Sequence, residues 1–147
     1  MLDSVQNLLD IFGDEFIDSK GQRVFADHFL TVEKYVCLYF GCAWAAPAQE
    51  FDPMLLDFYE KVNKDRKVIE IIYVNSDEDH GQFNQIVSNV PWIAIPYKDT
   101  RVMELKTMYA ITAVPQLIVI RKNGTILTVN GRDDIYAMDS EAINHWL

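Results

Sequence analysis

The sequence is short of cysteine. Only two cysteines occur among 147 residues, Cys37 and Cys42. In an extended strand their Cα atoms would lie about 16 Å apart, far beyond the roughly 7 Å that a disulfide allows. Both are therefore predicted to be buried thiols, and the chain must fold without a disulfide between them.

Basic residues are also few. Lys and Arg number 13 against 22 Asp and Glu, which gives a net charge of −9 at pH 7. A chain this acidic repels phosphate backbones and anionic lipid head groups. Neither nucleic acid nor a membrane surface is an expected partner.

Long apolar runs are missing as well. The least polar stretch, from Val36 to Ala48, contains Gly41 and Pro47 and is shorter than the roughly 18 residues that a membrane helix needs. The first 16 residues carry acidic but no basic side chains, so they lack the start of a signal peptide. These patterns predict a cytoplasmic protein in a reducing compartment.

Most enzyme signatures are absent. The sequence contains no glycine-rich nucleotide loop, nucleophile elbow or metalloprotease helix. His28, His80 and His145 stand apart from one another, and the acidic run Asp77 to Asp79 lacks the alternating oxygen pattern of a calcium loop. Neither a metal site nor a cofactor is predicted.

The residues that are present predict a folded core, since half of them are hydrophobic and 12% are aromatic. A chain of this length hides about 68–70% of its unfolded surface when it folds. We expect a single domain over residues 1–147, with residues 1–31 as an N-terminal extension holding a short helix and a short strand. Residues 32–147 would form the core.

A βαβ unit opens that core. The apolar runs Tyr35 to Phe40 and Val68 to Val74 predict two buried strands. Between them, apolar residues at helical spacing predict a helix from Ala48 to about Asn63, with Pro53 inside it. A connection of this kind makes the two strands parallel and the crossover right-handed.

The remainder predicts a mixed α/β sandwich. Its predicted parts are a polar helix from Asp77 towards Val90, a short extended segment Pro91 to Tyr97, a helix Arg101 to Tyr109, a hairpin turning at Asn123-Gly124, and a closing helix Asp139 to Trp146.

Several motifs together resemble the tryparedoxin and nucleoredoxin branch of the thioredoxin superfamily. The branch has a strand like Leu38-Tyr39-Phe40, a Trp-Cys-x-Pro-Cys loop beginning at Trp44, and a Phe-x-Pro matched by Phe51-Asp52-Pro53. It also has a Pro-Trp-Leu-Ala box matched by Pro91 to Tyr97, and a cis-proline loop matched by Ile111 to Pro115. The resemblance implies a thioredoxin-like three-layer sandwich with a mixed central sheet.

The family's chemistry needs two thiols that this chain lacks. In the family, the first Cys of the motif attacks a substrate disulfide as a thiolate and the second resolves the mixed disulfide. The matching positions are Ala45 and Ala48. A methyl group is no nucleophile, so the chain as written is predicted to be inactive in dithiol exchange.

The rest of the family's site is kept. The resemblance implies a substrate groove, with Pro115 in the cis form and Tyr39 in a supporting place beneath the motif. An extended substrate peptide would pair with the backbone of Val114. The residues implied for the groove are Trp44, Ala46, Pro47, Trp92, Val114 and Pro115.

Two interpretations follow. In the first, the natural protein is a disulfide reductase and this chain is its inactivated, double-alanine form, with a protein disulfide as substrate and a thioredoxin- or glutathione-type reductant. In the second, the chain is a natural non-catalytic module that binds extended peptides or partner proteins in the same groove.

Overall fold

A computed structural model describes residues 2–25, 32–76 and 79–146. Its helices are α1 Leu2–Phe12, α2 Ala46–Val62, α3 His80–Val87, α4 Thr100–Met108, α5 Gly131–Met138 and α6 Ala142–His145, with a 3-10 turn Asp139–Glu141 between the last two. Its strands are β1 Glu15–Ile17, β2 Arg23–Phe25, β3 Tyr35–Gly41, β4 Ile69–Asn75, β5 Ile93–Ala94, β6 Gln116–Arg121 and β7 Ile126–Thr128. None of the helices within these ranges is long and apolar enough to cross a membrane.

The described strands form one mixed sheet in the order β2-β1-β5-β4-β3-β6-β7. β3 and β4 are parallel, in register from Tyr35 opposite Ile69 to Gly41 opposite Asn75. β6 runs antiparallel to β3 on its other side and places Gln116 opposite Phe40. The predicted βαβ unit is therefore confirmed, and its two strands lie at the centre of the sheet, where every residue of both is buried.

Helices cover both faces of this sheet. Because side chains alternate along a strand, Cys37 and Tyr39 of β3 point to one face and Leu38 and Phe40 to the other. The first face packs against α2, α3, α5 and α6, and the second against α1 and α4. The arrangement is the predicted thioredoxin-like three-layer sandwich.

The N-terminal segment joins the same sheet. The predicted short helix and edge strand are α1 and β2, while β1 was not predicted. β1 pairs antiparallel with β5 through Ile17 and Ala94. His28 lies outside the described residues.

The C-terminal end departs from the sequence prediction. The predicted closing helix, Asp139 to Trp146, is the 3-10 turn Asp139–Glu141 followed by α6, but a further helix that was not predicted, α5, precedes it at Gly131–Met138. A Cβ at Gly131 would meet the Leu117 side chain and carbonyl at 2.9 Å. The glycine thus permits close packing of α5 on β6, which a sequence pattern does not reveal.

Candidate functional site

The loop between β3 and α2 lies at the carboxyl edge of the two parallel strands. Ala45 ends this loop in an extended conformation and is the N-cap of α2. Its carbonyl accepts hydrogen bonds from the amides of Ala48 at 3.1 Å and Gln49 at 3.0 Å. The Gln49 side chain donates to the Ala43 carbonyl at 2.7 Å and closes the loop.

The two alanines differ in exposure. Ala45 is partly exposed, whereas Ala48 is completely buried. A group at position 45 therefore faces solvent at the positive end of the helix dipole, which stabilises a negative charge. A group at position 48, one turn further along, is shielded inside the fold.

Trp44 stands beside this helix start with its ring in solvent. The side chain is 54% exposed, and its indole Nε1 donates to the Ser76 carbonyl at 3.3 Å. Ser76 in turn donates its amide to the Gly41 carbonyl at 2.8 Å. The ring is thus tethered to the ends of both central strands while its apolar faces remain accessible.

The cis-proline loop reaches the same edge of the sheet. The Val114–Pro115 peptide bond is cis, and Pro115 directly precedes Gln116, which pairs with Phe40 near the end of β3. Arg132 at the start of α5 donates to the Pro115 carbonyl at 3.1 Å. Within the described part of the chain, the backbone of Val114 makes no hydrogen bond.

A polar pair lies beneath the helix start. The Tyr39 side chain is almost completely buried, and its hydroxyl donates a short hydrogen bond to Asp52 Oδ1 on α2. Burial, followed by the negative charge of Asp52, raises the pKa of Tyr39 far above its usual range. A Cβ at Gly41 would lie 3.1 Å from the Tyr39 ring, so glycine leaves room for that ring at the end of β3.

A family model described as Thioredoxin-like matches residues 33–126. The chain belongs to the thioredoxin superfamily. Nucleoredoxin of Danio rerio is 34% identical over 102 residues, which cover 69% of this chain and 24% of that protein. This likeness places the chain in the nucleoredoxin and tryparedoxin branch.

Solved structures agree with this assignment. Tryparedoxin from Trypanosoma brucei superposes with a TM-score of 0.83 at 28% identity and covers 95% of this chain and 97% of that one. A tryparedoxin II complexed with glutathionylspermidine superposes at 0.81 with 27% identity, covering 92% and 94%. By contrast, the chain spans about a quarter or less of the first curated nucleoredoxins that it matches.

Trp92, which was predicted to line the groove of this thioredoxin-like chain, lies in the core instead. Trp92 is 1% exposed, and its ring packs against Tyr59 of α2 at 5.5 Å between centroids. Its Nε1 has no hydrogen-bond partner within the described residues. Trp92 is a core residue because it lies just before β5, which carries it into the sheet beneath α2, so its assignment to the groove is wrong.

The other predicted site residues are divided between the rim and the interior. Trp44, Ala46 and Pro47 are exposed at the start of α2, and Val114 is half-buried in the loop beside it, while Pro115 is buried. Sequence reasoning missed Asp52, which contacts the predicted supporting residue Tyr39. Its spacing of four residues from Ala48 was the available signal, since such residues share one face of a helix.

Neither native thiol occupies position 45 or 48. Cys37 is completely buried on β3, and burial together with the nearby Glu70 carboxylate raises its pKa far above the usual range. Cys42 is 2% exposed. Neither forms a disulfide, as predicted.

Proposed function

We propose that this chain is a disulfide-reductase domain of the nucleoredoxin and tryparedoxin type in an inactivated form, in which the dithiol is absent. The observation that carries the proposal is the intact start of α2, with alanine at the N-cap and one turn into the helix. Cytoplasmic protein disulfides are its proposed substrates, and a thioredoxin- or glutathione-type thiol is the proposed reductant of the active form.

The geometry supports a division of roles between the two positions. A thiol at the exposed position 45 would have its pKa lowered towards 7 by the helix N-terminus, so that it attacks as a thiolate. A thiol at the buried position 48 would attack only after the mixed disulfide forms beside it. No electron transfer can occur through the methyl groups that stand there now.

A second candidate function is non-covalent binding of an extended peptide. It is favoured by the unpaired backbone of Val114 and by the exposed ring of Trp44. A substrate strand could pair with the first through main-chain hydrogen bonds and pack an apolar side chain on the second. This function needs no thiol and would survive in the chain as it is.

The proposed activity is tested by restoring the thiols. Ala45→Cys/Ala48→Cys should reduce insulin disulfides with dithiothreitol as electron donor, while the unchanged chain shows no turnover above background. With insulin but without dithiothreitol, Ala45→Cys alone should accumulate a mixed disulfide, and Ala48→Cys alone should not because position 48 is buried. A folded double variant with no turnover, and no thiol that titrates below pH 8, would overturn the proposal.

The binding function is tested on the unchanged chain with a labelled, alkylated insulin B chain as the extended probe. Trp44→Ala and Val114→Asp should each weaken binding at least about fivefold. Met103→Ala is the matched control, since Met103 is also an exposed apolar side chain and lies on α4. If neither groove variant weakens binding more than the control, the peptide-binding function is excluded.

A further inference from the structure

The sequence contains two Asn-Gly pairs, Asn123-Gly124 and Asn130-Gly131. In such a pair the glycine nitrogen can close a five-membered ring on the asparagine side-chain carbon and expel ammonia, since no Cβ on the glycine obstructs the attack. We propose that Asn123 is a self-modification site in the folded protein, that Thr125 promotes its deamidation, and that Asn130 is protected. This inference is independent of the proposed function.

The first pair lies at the edge of the sheet opposite the candidate site. It forms the turn after β6, whose last residue, Arg121, is opposite Tyr35 at the beginning of β3. Positions 45 and 48 follow the other end of β3. Asn123 is exposed, and Gly124 has a φ of +91°, which glycine adopts without strain. Water and hydroxide can therefore reach the pair.

Thr125 directs two hydrogen-bond donors at the oxygen on which charge would develop. Asn123 Oδ1 accepts from the Thr125 amide at 3.0 Å and from the Thr125 hydroxyl at 2.7 Å. When the Gly124 nitrogen attacks the side-chain carbon, this oxygen becomes an oxyanion. Donors that are already in place stabilise such an intermediate, as they do in an oxyanion hole.

A positive charge strengthens the hydroxyl donor. Arg121 Nη1 donates to Thr125 Oγ1 at 3.3 Å and to the Ile126 carbonyl at 3.0 Å. The hydroxyl thus accepts from a guanidinium and donates to the asparagine, and hydrogen bonds linked in this way polarise one another. The guanidinium charge also favours the developing oxyanion at Asn123.

The attacking nitrogen has to be released first. The Gly124 amide donates to the Arg121 carbonyl at 2.9 Å, so this hydrogen bond must open before the ring can close. It lies in an exposed turn at the end of a hairpin, where local opening needs far less free energy than global unfolding. The turn therefore permits the reaction while the rest of the sheet stays folded.

The second pair is held by its surroundings. The Asn130 carbonyl accepts the Asp134 amide at 3.0 Å in the first turn of α5, and a Cβ at Gly131 would meet Leu117 at 2.9 Å. Rotation of the peptide group between Asn130 and Gly131 would break the helical bond and press the glycine against β6. The Asn130 side chain makes no cap hydrogen bond, so the amides of α5 do not polarise it.

The proposed reaction needs only water and hydroxide. Hydroxide removes the Gly124 amide proton, and the nitrogen forms a bond to the Asn123 side-chain carbon. The bond between that carbon and the side-chain nitrogen breaks, and ammonia leaves with a proton from water. A second water then opens the succinimide ring at either carbonyl, which gives aspartate or isoaspartate. No group is oxidised or reduced.

The modification would alter the contact between the turn and α1. The Asn7 side-chain amide donates to the Asn123 carbonyl at 3.4 Å. The ideal Cβ position at Gly124 lies 3.0 Å from Ile11 Cδ1, so the turn packs closely on this helix. Isoaspartate adds a methylene group to the main chain at the turn and displaces both contacts. We therefore expect α1 to be held less firmly after the reaction.

Peptide mapping by mass spectrometry tests the proposal on the full chain incubated at pH 8 and 37 °C. The measurement is the rate at which aspartate and isoaspartate appear at each asparagine. In the folded protein Asn123 should react at least about tenfold faster than Asn130, whereas in urea the two should react about equally because nothing restrains either pair. Equal rates in the folded protein, or faster reaction at Asn130, would overturn the inference.

The role of Thr125 is tested by Thr125→Val, which removes the hydroxyl donor and should slow reaction at Asn123 at least about threefold. Thr125→Ser keeps the hydroxyl and should keep the rate, and Thr125→Ala replaces the valine variant if that variant does not fold. Thr128→Val is the matched control, since Thr128 lies on the same hairpin and its hydroxyl accepts from the Asn130 amide. An unchanged rate without the Thr125 hydroxyl, or equal slowing in the control, would contradict this role.

Hydrogen exchange provides a second readout in protein aged until Asn123 has reacted. The amides of α1 should exchange at least about fivefold faster than in fresh protein. Asn123→Gln, aged in the same way, is the control because its longer side chain cannot close the five-membered ring. Unchanged exchange in the aged protein, or an equal increase in the control, would contradict the link to α1.

Discussion

At the scale of single residues, positions 45 and 48 carry methyl groups, which offer no nucleophile, while the backbone at position 45 takes part in the first turn of α2. The carbonyl of Ala45 still accepts from the first turn of α2. Its side chain, however, provides no cap for that turn. The start of α2 is therefore less well capped than one that begins with Ser, Asp or Asn.

Ala45→Ser should stabilise the protein by about 0.5–1 kcal/mol, because the hydroxyl can accept the amide of Ala48 at the third helical position. The free energy of unfolding in urea gives the measurement. Ala46→Ser, one residue inside the helix, offers no such cap and should be neutral or slightly destabilising. Equal effects of the two substitutions would show that the N-cap geometry is not used.

At the scale of elements, one arginine joins α4 to the N-terminal segment. Arg101 donates to the carbonyls of Phe12 at 2.8 Å and Glu15 at 2.6 Å, and its Nε donates to Asp99 Oδ1 at 3.0 Å. Gly13, at φ +79°, lies against the guanidinium, where a Cβ would meet Nη1 at 2.8 Å. The turn after α1 thus depends on a glycine and on a charge contributed by a distant helix.

The Arg101–Asp99 ion pair predicts that the stability of the fold decreases in acid. Hydrogen bonds from Arg101 hold the pKa of Asp99 below its ordinary value of 3.8. Because the pKa is lower in the folded state, the stabilisation is complete above about pH 4 and is lost as the pH falls through the folded pKa. Asp99→Asn should cost about 1–2 kcal/mol at pH 7, and the cost should shrink below pH 4.

Urea unfolding at pH 7, 4 and 3 measures that difference. Asp57→Asn is the control, since Asp57 pairs with Lys61 on the exposed side of α2 and should cost less than about 0.5 kcal/mol at pH 7. A pH-independent difference between the native chain and Asp99→Asn would contradict the role given to the ion pair.

At the scale of the whole molecule, the two native thiols report on unfolding. Cys37 and Cys42 are 0% and 2% exposed, and the raised pKa of Cys37, caused first by burial, leaves little thiolate for reaction. In native conditions both should react with a thiol reagent at least about a thousandfold more slowly than in urea. Rapid labelling of Cys42 in the folded protein would contradict this and would identify it as a reactive thiol.

The sequence anticipated the parts of the fold that local periodicity determines. Continuous apolar runs predicted β3 and β4, Asn123-Gly124 predicted the β6–β7 turn, and helical spacing predicted α2 and α4. It failed where a residue's role depends on a distant partner. The prediction placed Trp92 in the groove, since the motif that contains it does not indicate burial. It missed α5, because the need for glycine at position 131 comes from the close contact with Leu117.

The sequence by itself determined the family, the sandwich architecture and the absence of thiols at positions 45 and 48, since each depends on residue identity or on the spacing of neighbours along the chain. Only the tertiary structure decided that Tyr39 contacts Asp52, that Trp92 is buried and that Arg101 secures the turn after α1. Those contacts join elements far apart in sequence. They arise from the way helices pack on the sheet, and a local pattern carries no information about that packing.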